Sequence, residues 1–531
     1  MLTGKNYIGY SLSSDGTTSF NTINPKTNQT NSTLFYEATT DEVNQAVSKA
    51  HGAFAAYQNY SGTQKSSFLT AIAGELLQLG DTLIEQVMTE TGLGYERVVA
   101  ERGRTLWQLQ MFADLLLDGS WVDATIDTAI PDRKPIPKPD LRKMLVPLGP
   151  IVVFGASNFP LAYSTAGGDT VAALAAGCPV IVKSHPMHAG VSELVAGAVI
   201  RAAQQTGMPD GIFSHLNSQN YTVGNQLLKH PQVKAVGFTG SVAGGTSLMK
   251  LAAERPEPIP VFAEMGSINP VVLMPEALHK GGAEIAKTYA QSITLGSGQF
   301  CTNPGLLLGI AGTDLTAFAK SLADEILKTE ALCMLHPAIA HQFDQGKKTM
   351  QNQLAVEQVV SYEHEHRSNY GKPLVLTVKG ATFLHNTKLH QEVFGPFSLL
   401  VQCADLNELT RVITQLEGQL TGTFMATEKE LSTHFSIAEA LQNRVGRLIF
   451  NGVPTGVEVC PSMQHGGPFP ASSDSRFTAV GIHSIKRWVR PISFQNWPND
   501  LLPDALKNAN PLQIERLVNN KRTSETIKKT S

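Results

Sequence analysis

The sequence predicts an α/β protein whose first large unit is a mostly parallel, doubly wound sheet, followed by a second α/β unit. From residue 150 onward, short apolar runs alternate with stretches of helical periodicity. Glycine or proline punctuates most of the joins. The chain is also long: 531 residues, 42% apolar and 16% charged, provide well-filled cores for roughly two to four domains.

Residues 41–118 read as helices. "TDEVNQAVSKAHGAFAAYQNY" opens with Asp41 and keeps apolar residues at helical spacing, and "SSFLTAIAGELLQLGDTLIEQVMTETG" runs to a stop at Gly92. Residues 120–143 carry four prolines, three of them within 135–139, and predict an extended excursion from the body.

"PIVVFG" then reads as a buried strand, "PLAYSTAGGDTVAALAAG" as a helix from Pro160 to Gly177, and "PVIVK" as the next strand. Three more strands, "GIFSHL", "VKAVGF" and "IPVFAE", alternate with helical segments, and each crossover should be right-handed. A second α/β unit spans 280–480, and "GIHSIKRWVRPISFQNWP" reads as a strand with a proline-terminated extension. The expected division is therefore 1–119 with 144–279, then 280–480, with 120–143 and 481–498 as a bridging β element. Residues 499–531 form a C-terminal extension whose basic end, "NNKRTSETIKKTS", is expected to be solvated.

Composition excludes several classes. A net charge of −3 implies neither a nucleic-acid nor an anionic-membrane partner. No apolar run of about 18 residues occurs, and the N-terminus lacks a basic region followed by an apolar block. The five cysteines, Cys178, Cys301, Cys333, Cys403 and Cys460, are scattered without a CxxC pair. That pattern fits reduced thiols in a cytoplasm, with no disulfide framework and no metal site.

Four strand ends carry candidate chemistry. After "VKAVGF", Gly240 permits a tight turn and Ser241 can cap a helix whose free N–H groups would bind phosphate, or the turn is an ordinary one. Lys183 ends "PVIVK", where a lysine holds a ribose or phosphate or is simply solvated. Asn158 offers a neutral amide donor suited to an oxyanion, or serves its own loop. Glu264 ends "IPVFAE" among apolar residues, where burial would raise its pKa and suit it as a base, or it is paired structurally. One helix later comes "LGSGQFCTNPG", in which Gly296 and Gly298 place Cys301 on a flexible loop as a nucleophile or as a small core residue.

Taken together, "SNFPL", "ALAAGCPVIVK", "GFTGS", "EMGSINPVV", "GQFCTNPG" and "EVFGPFSLLV" resemble the aldehyde dehydrogenase superfamily in order and spacing, over roughly residues 20–500. The resemblance implies a Rossmann-like coenzyme domain, an α/β catalytic domain and a β oligomerisation arm that pairs subunits into a dimer or tetramer. It also implies roles. Cys301 is similar to the nucleophile, Asn158 to the oxyanion donor and Glu264 to the base that hydrolyses the thioester. Lys183, Ser241 and Glu392 are similar to contacts with the coenzyme's adenosine ribose, pyrophosphate and nicotinamide ribose.

Two departures refine this. NAD-preferring members often place a glutamate shortly after the lysine. Here "KSHP" has Pro186 instead, so Lys183, Ser184 and His185 are expected to accept a 2′-phosphate and NADP is the expected coenzyme, with NAD possible. The C-terminal motif "PSMQHGGPFPASSDSRFTAVG" resembles a branch acting on 2,5-dioxovalerate (α-ketoglutarate semialdehyde) and on long-chain aldehydes. In it His465 is a candidate for proton transfer and Arg476 for gripping a substrate carboxylate. The expected reaction is therefore oxidation of 2,5-dioxopentanoate to 2-oxoglutarate. A medium- or long-chain fatty aldehyde is the alternative substrate, and a coenzyme-independent cysteine esterase is the alternative from another class.

Overall fold

The computed structural model describes residues 2–360 and 367–528. Three large sheets organise the chain. The first has seven strands in the order Val261–Glu264, Ala235–Thr239, Ile151–Phe154, Val180–Lys183, Phe213–Leu216, Asn6–Ile8 and Ser11–Ser13. Its first five strands are parallel, and the N-terminal hairpin adds antiparallel at the far edge.

Alternation within the strands explains the layering. Ile151, Val153, Val180 and Val182 pack into one core, while Val152 and Ile181 pack into another on the opposite face. Successive strand residues point to opposite sides, so a strand that is apolar throughout needs helices on both faces. Helices Gly62–Gln78, Gly168–Ala176 and Ala189–Gln205 contribute to the first core, and Thr40–Tyr57, Thr222–Lys229 and Val242–Ala253 to the second.

The second sheet also has seven strands, in the order Glu357–Val360, Leu374–Lys379, Phe397–Cys403, Leu306–Ile310, Pro270–Leu273, Gln419–Met425 and Val445–Phe450. Leu306 and Leu308 face one of its cores and Leu307 the other. The third sheet joins Val489–Gln495, Leu141–Pro147, Thr125–Asp127, Arg516–Val518 and Lys521–Thr523. Among the described residues no helix is long and apolar enough to cross a membrane.

Four features differ from the sequence reading. The helix expected from Pro160 begins only at Gly168. The backbone N–H groups of Leu161 and Ala162 donate to the buried Glu101 carboxylate at 2.8 and 3.0 Å, which holds the preceding residues in turns. The change of sheet comes before residue 270 rather than at 279–280, because Pro270–Leu273 already pairs with Leu306–Ile310.

Residues near 471–473 do not stay with the second sheet. The Met265 N–H donates to the Ala471 carbonyl and the Ser473 N–H to the Ala263 carbonyl, so this segment runs along the edge strand of the first sheet. The C-terminal extension stays largely exposed at its basic end, as expected, but it also forms two strands that the sequence did not predict. Asn519 and Asn520, at φ 45° and 65°, make a tight two-residue turn that pairs Arg516–Val518 with Lys521–Thr523 inside the third sheet. The last three residues of the basic end, 529–531, lie outside the described residues.

Candidate active site

The strands of the first sheet end level with one another. Lys183 pairs with Phe154 and Leu216, and Thr239 pairs with Glu264. Parallel strands in this register bring Glu264, the Gly240–Ser241 turn, Asn158 and Lys183 to one carboxyl edge, where open α/β sheets bind ligands.

Cys301 reaches that edge from the second sheet's side. Helix Pro275–Thr294 gives way to the tight turn Leu295–Gly298, in which Gly296, Ser297 and Gly298 all take positive φ, from 54° to 63°. A Cβ at Gly298 would lie 2.3 Å from the Gly395 backbone, so only glycine lets the loop lie flat there. Asn269 braces the loop beyond this turn: its side-chain amide donates to the carbonyls of Cys301 and Asn303, both at 2.8 Å. The half-buried Cys301 therefore presents its sulfur on a fixed backbone.

Three side chains converge on that sulfur's surroundings. His465 Nε2 is 3.5 Å from Cys301 Sγ and 2.9 Å from Glu264 Oε1. The donor atoms of Cys301, Glu264 and His465 all lie within 4.8 Å of one another. The second carboxylate oxygen of Glu264 is buried and has no hydrogen-bond partner. Asn158 lies beside the same loop, its amide donating to the Gln299 carbonyl at 3.1 Å.

Electrostatics tune the pair in opposite directions. Burial pushes the Cys301 thiol well above the usual cysteine range, and the charges of Glu264 and Glu392 add to this while Arg104 opposes them. For Glu264, burial also acts upward, but the charge and hydrogen bond from His465 and the hydrogen bond from Cys301 outweigh it. Its carboxyl stays below the ordinary glutamate value. This corrects the raised pKa expected from burial alone: the partner matters more than the apolar setting. The resting pair is thus a thiol beside a carboxylate.

The coenzyme side of the edge carries a polar cradle. Ser241 caps helix Val242–Ala253, its hydroxyl accepting from the Gly244 N–H at 3.1 Å, and the Gly240 N–H donates to the Glu264 carbonyl. Burial pulls Lys183 down to about 8, with Glu37 opposing. Glu392 is solvent-exposed as a residue, yet it stands in a concave, protein-crowded place that pushes its carboxyl up to about 7 against the pull of the Ser267 N–H.

A helix N-terminus, a cation and a carboxylate along one sheet edge fit the phosphates and riboses of a dinucleotide. Two expected contacts do not. Ser184 is fully buried, so its hydroxyl faces the interior. His185 accepts from the Met187 N–H and stacks on His188, with its pKa held well below the usual value by burial and the neighbouring His188 and Lys183 charges. It supplies no positive charge.

A match to the aldehyde dehydrogenase family spans residues 12–473. The chain belongs to the aldehyde dehydrogenase family. It is therefore an oxidoreductase acting on aldehydes with NAD or NADP. Over 517 residues it is 46% identical to alpha-ketoglutaric semialdehyde dehydrogenase 2 of Azospirillum brasilense, covering 97% of this chain and 98% of that one. Its identity to alpha-ketoglutaric semialdehyde dehydrogenase of Acinetobacter baylyi is 43%, again covering 97% and 98%. Among solved structures, methylmalonate-semialdehyde dehydrogenase from Oceanimonas doudoroffii shares the fold at a TM-score of 0.79 and 19% identity, covering 94% of this chain and 99% of that one.

This aldehyde dehydrogenase departs from the sequence reading at Arg476. Its side chain is 80% exposed and is paired with Asp474 at 2.5 Å, so it does not face Cys301. Two contributors went unrecognised. Asn269 could have been noticed as a polar residue directly before a continuous apolar strand, "PVVL". Arg104 could have been noticed because Glu101, Thr105 and Gln108 give its helix an unusually polar buried face.

Proposed function

We propose that this enzyme oxidises 2,5-dioxopentanoate to 2-oxoglutarate through an acylated Cys301. The clustering of Cys301, Glu264 and His465 at the carboxyl edge of the first sheet carries the chemical part of this reading. The substrate follows the two relatives that match nearly the whole chain, both named as alpha-ketoglutaric semialdehyde dehydrogenases.

Cys301 is the nucleophile. Its thiol passes its proton to Glu264, and the thiolate adds to the aldehyde carbon. Asn158 turns its amide from the Gln299 carbonyl to the developing oxyanion, joined by the Cys301 backbone N–H. Lys183, the Ser241 helix start and Glu392 would hold the coenzyme, which when bound accepts the hydride. Glu264, having released that first proton to solvent, takes a second from water as the water attacks the thioester, and hands it to the departing thiolate. This releases the acid and restores the thiol. His465 keeps Glu264 ionised and in place between these two uses.

The esterase alternative fits less well. A cysteine–histidine–acid relay uses one imidazole nitrogen for the thiol and the other for the acid. Here Nε2 faces both partners.

NADP is our expected coenzyme. Pro186 stands where an acid would follow Lys183 in the sequence, and Glu37, whose charge does reach Lys183, has both oxygens accepting from Ser218 and Asn220. We also place the enzyme in the cytoplasm as a dimer or tetramer, with 120–143 and 481–498 as the subunit arm. The test is steady-state oxidation of 2,5-dioxopentanoate, pentanal and decanal with each coenzyme. The semialdehyde with NADP should give the highest kcat/KM, and a preference for decanal would overturn the substrate.

A further inference from the structure

We propose that Arg104, with the Tyr163 hydroxyl, anchors the substrate's carboxylate and so selects short oxo-acids over uncharged aldehydes. This rests on the semialdehyde reading and names the group that would enforce it.

Arg104 is a half-buried guanidinium with spare donors. It sits on helix Tyr95–Asp118, and among the described residues no carboxylate lies within ion-pair distance of it. Its hydrogen bond runs from NH2 to the Tyr163 hydroxyl at 3.0 Å, and its buried Nε has no partner.

The nearby acid is already used. Glu101 pairs with Arg97 at 2.7 Å through one oxygen and accepts the Leu161 and Ala162 N–H groups through the other. A partly buried guanidinium left with an unsatisfied donor is costly, and a carboxylate can satisfy it with two parallel hydrogen bonds.

The position suits the substrate. Tyr163 accepts from Arg104, which leaves its own O–H free to donate. Its ring centroid is 6.3 Å from that of His465, the residue 3.5 Å from the nucleophile's sulfur. Phe159, next in the chain after Asn158, packs at 5.3 Å on Tyr163 and at 5.7 Å on Phe300, the residue before Cys301. The Arg104 guanidinium lies 5.8 Å from the Phe159 ring and 5.3 Å from the Tyr163 ring. Its charge is felt at both Cys301 and Tyr163.

An extended five-carbon chain separates its aldehyde and carboxylate carbons by about 5 Å, and the contacts Arg104–Tyr163, Tyr163–His465 and His465–Cys301 connect the anchor to the nucleophile. Arg447, whose charge also reaches Cys301, likewise has a buried Nε without a partner, but both its terminal nitrogens donate to the Pro454 and Gly456 carbonyls and tie it to that loop.

The test compares wild type, Arg104→Leu, Arg104→Lys and Tyr163→Phe on 2,5-dioxopentanoate and on pentanal, at saturating coenzyme. Wild type should prefer the oxo-acid. Arg104→Leu should lose about 100-fold in kcat/KM on it, mostly through KM, while activity on pentanal should fall far less and only through kcat, because the charge that lowers the Cys301 pKa is also gone. Arg104→Lys, a milder change to the fold, should lose about tenfold on the oxo-acid because an ammonium is not bidentate.

Glutarate should inhibit pentanal oxidation by wild type competitively, and more weakly in Arg104→Lys. An unchanged preference in both arginine variants, or equal losses on both aldehydes, would overturn the anchor and leave the substrate assignment standing. A wild type that does not favour the oxo-acid would instead remove the substrate assignment itself.

Discussion

Glu264 Oε1 accepts a hydrogen bond from His465 Nε2 at 2.9 Å, and both side chains are sealed from solvent at 5% and 2% exposure. The histidine is thus what keeps a buried carboxylate ionised, because burial alone would push its pKa up. In His465→Ala the opposing charge and hydrogen bond are gone and the Glu264 pKa rises. The acid limb of the kcat–pH profile should move to higher pH, with kcat at pH 7 down by about tenfold and recovering towards pH 9. An acid limb that stays where it is in wild type would show that His465 does not set the Glu264 charge.

Glu264→Gln keeps the shape and removes the base. Thiohemiacetal formation and hydride loss should still occur when the pH is raised to ionise Cys301 unaided, but water attack on the thioester should slow by about 100-fold or more. Rapid mixing with aldehyde and coenzyme should then show a burst of reduced coenzyme, one per active site, followed by a slow steady state. Steady turnover at the wild-type rate without a burst would assign the hydrolytic base elsewhere.

The doubly wound sheet, and the strand ends that carry the candidate residues, could be read from the sequence because they follow local rules. A strand apolar throughout, such as "PIVVFG", must be covered on both faces, and the residues at its carboxyl end must face the crevice. What could not be read depended on how the folded chain places each side chain, whether its partner is near or distant in sequence. The helix expected at Pro160 is shortened by Glu101, about 60 residues earlier. Ser184 and His185 look available in "KSHP", yet the fold buries one and stacks the other on His188. Arg476 looked like a substrate contact until Asp474, two residues away, proved to hold it in solvent.

If Lys183 holds the coenzyme as proposed, binding should be sensitive to alkali. Burial lowers its pKa from 10.5 to about 8, so its positive charge is present below about 8 and lost above. The kcat/KM for NADP should fall as pH rises through 8, by up to about tenfold, and Lys183→Met should abolish that limb. Stability should move the other way. The unfolded chain holds this proton up to about 10.5, so between 8 and 10.5 the unfolded state binds more protons and the group favours folding as pH rises. Coenzyme titrations and thermal unfolding of the coenzyme-free enzyme across this window should therefore show opposite trends at Lys183.

Among the described residues the strand Val445–Phe450 closes the second sheet with one side unpaired, and its Leu448 and Phe450 side chains are each 43% exposed. An open edge bearing large apolar groups invites pairing with another chain. The third sheet ends in a similar open strand, Val489–Gln495, and its hairpin tip carries Ile136 at 68% exposure. If the arm of one copy adds its strand to the catalytic sheet of another, both edges are covered at once by backbone hydrogen bonds. Wild type should then sediment as a dimer or tetramer at micromolar concentration. Phe450→Arg should shift it towards monomer and lower its thermal stability, because the charge would be driven into the paired interface. Phe450→Leu, which keeps the apolar contact, should leave the assembly intact. A monomeric wild type, or a Phe450→Arg variant as fully assembled as Phe450→Leu, would remove this edge from the interface.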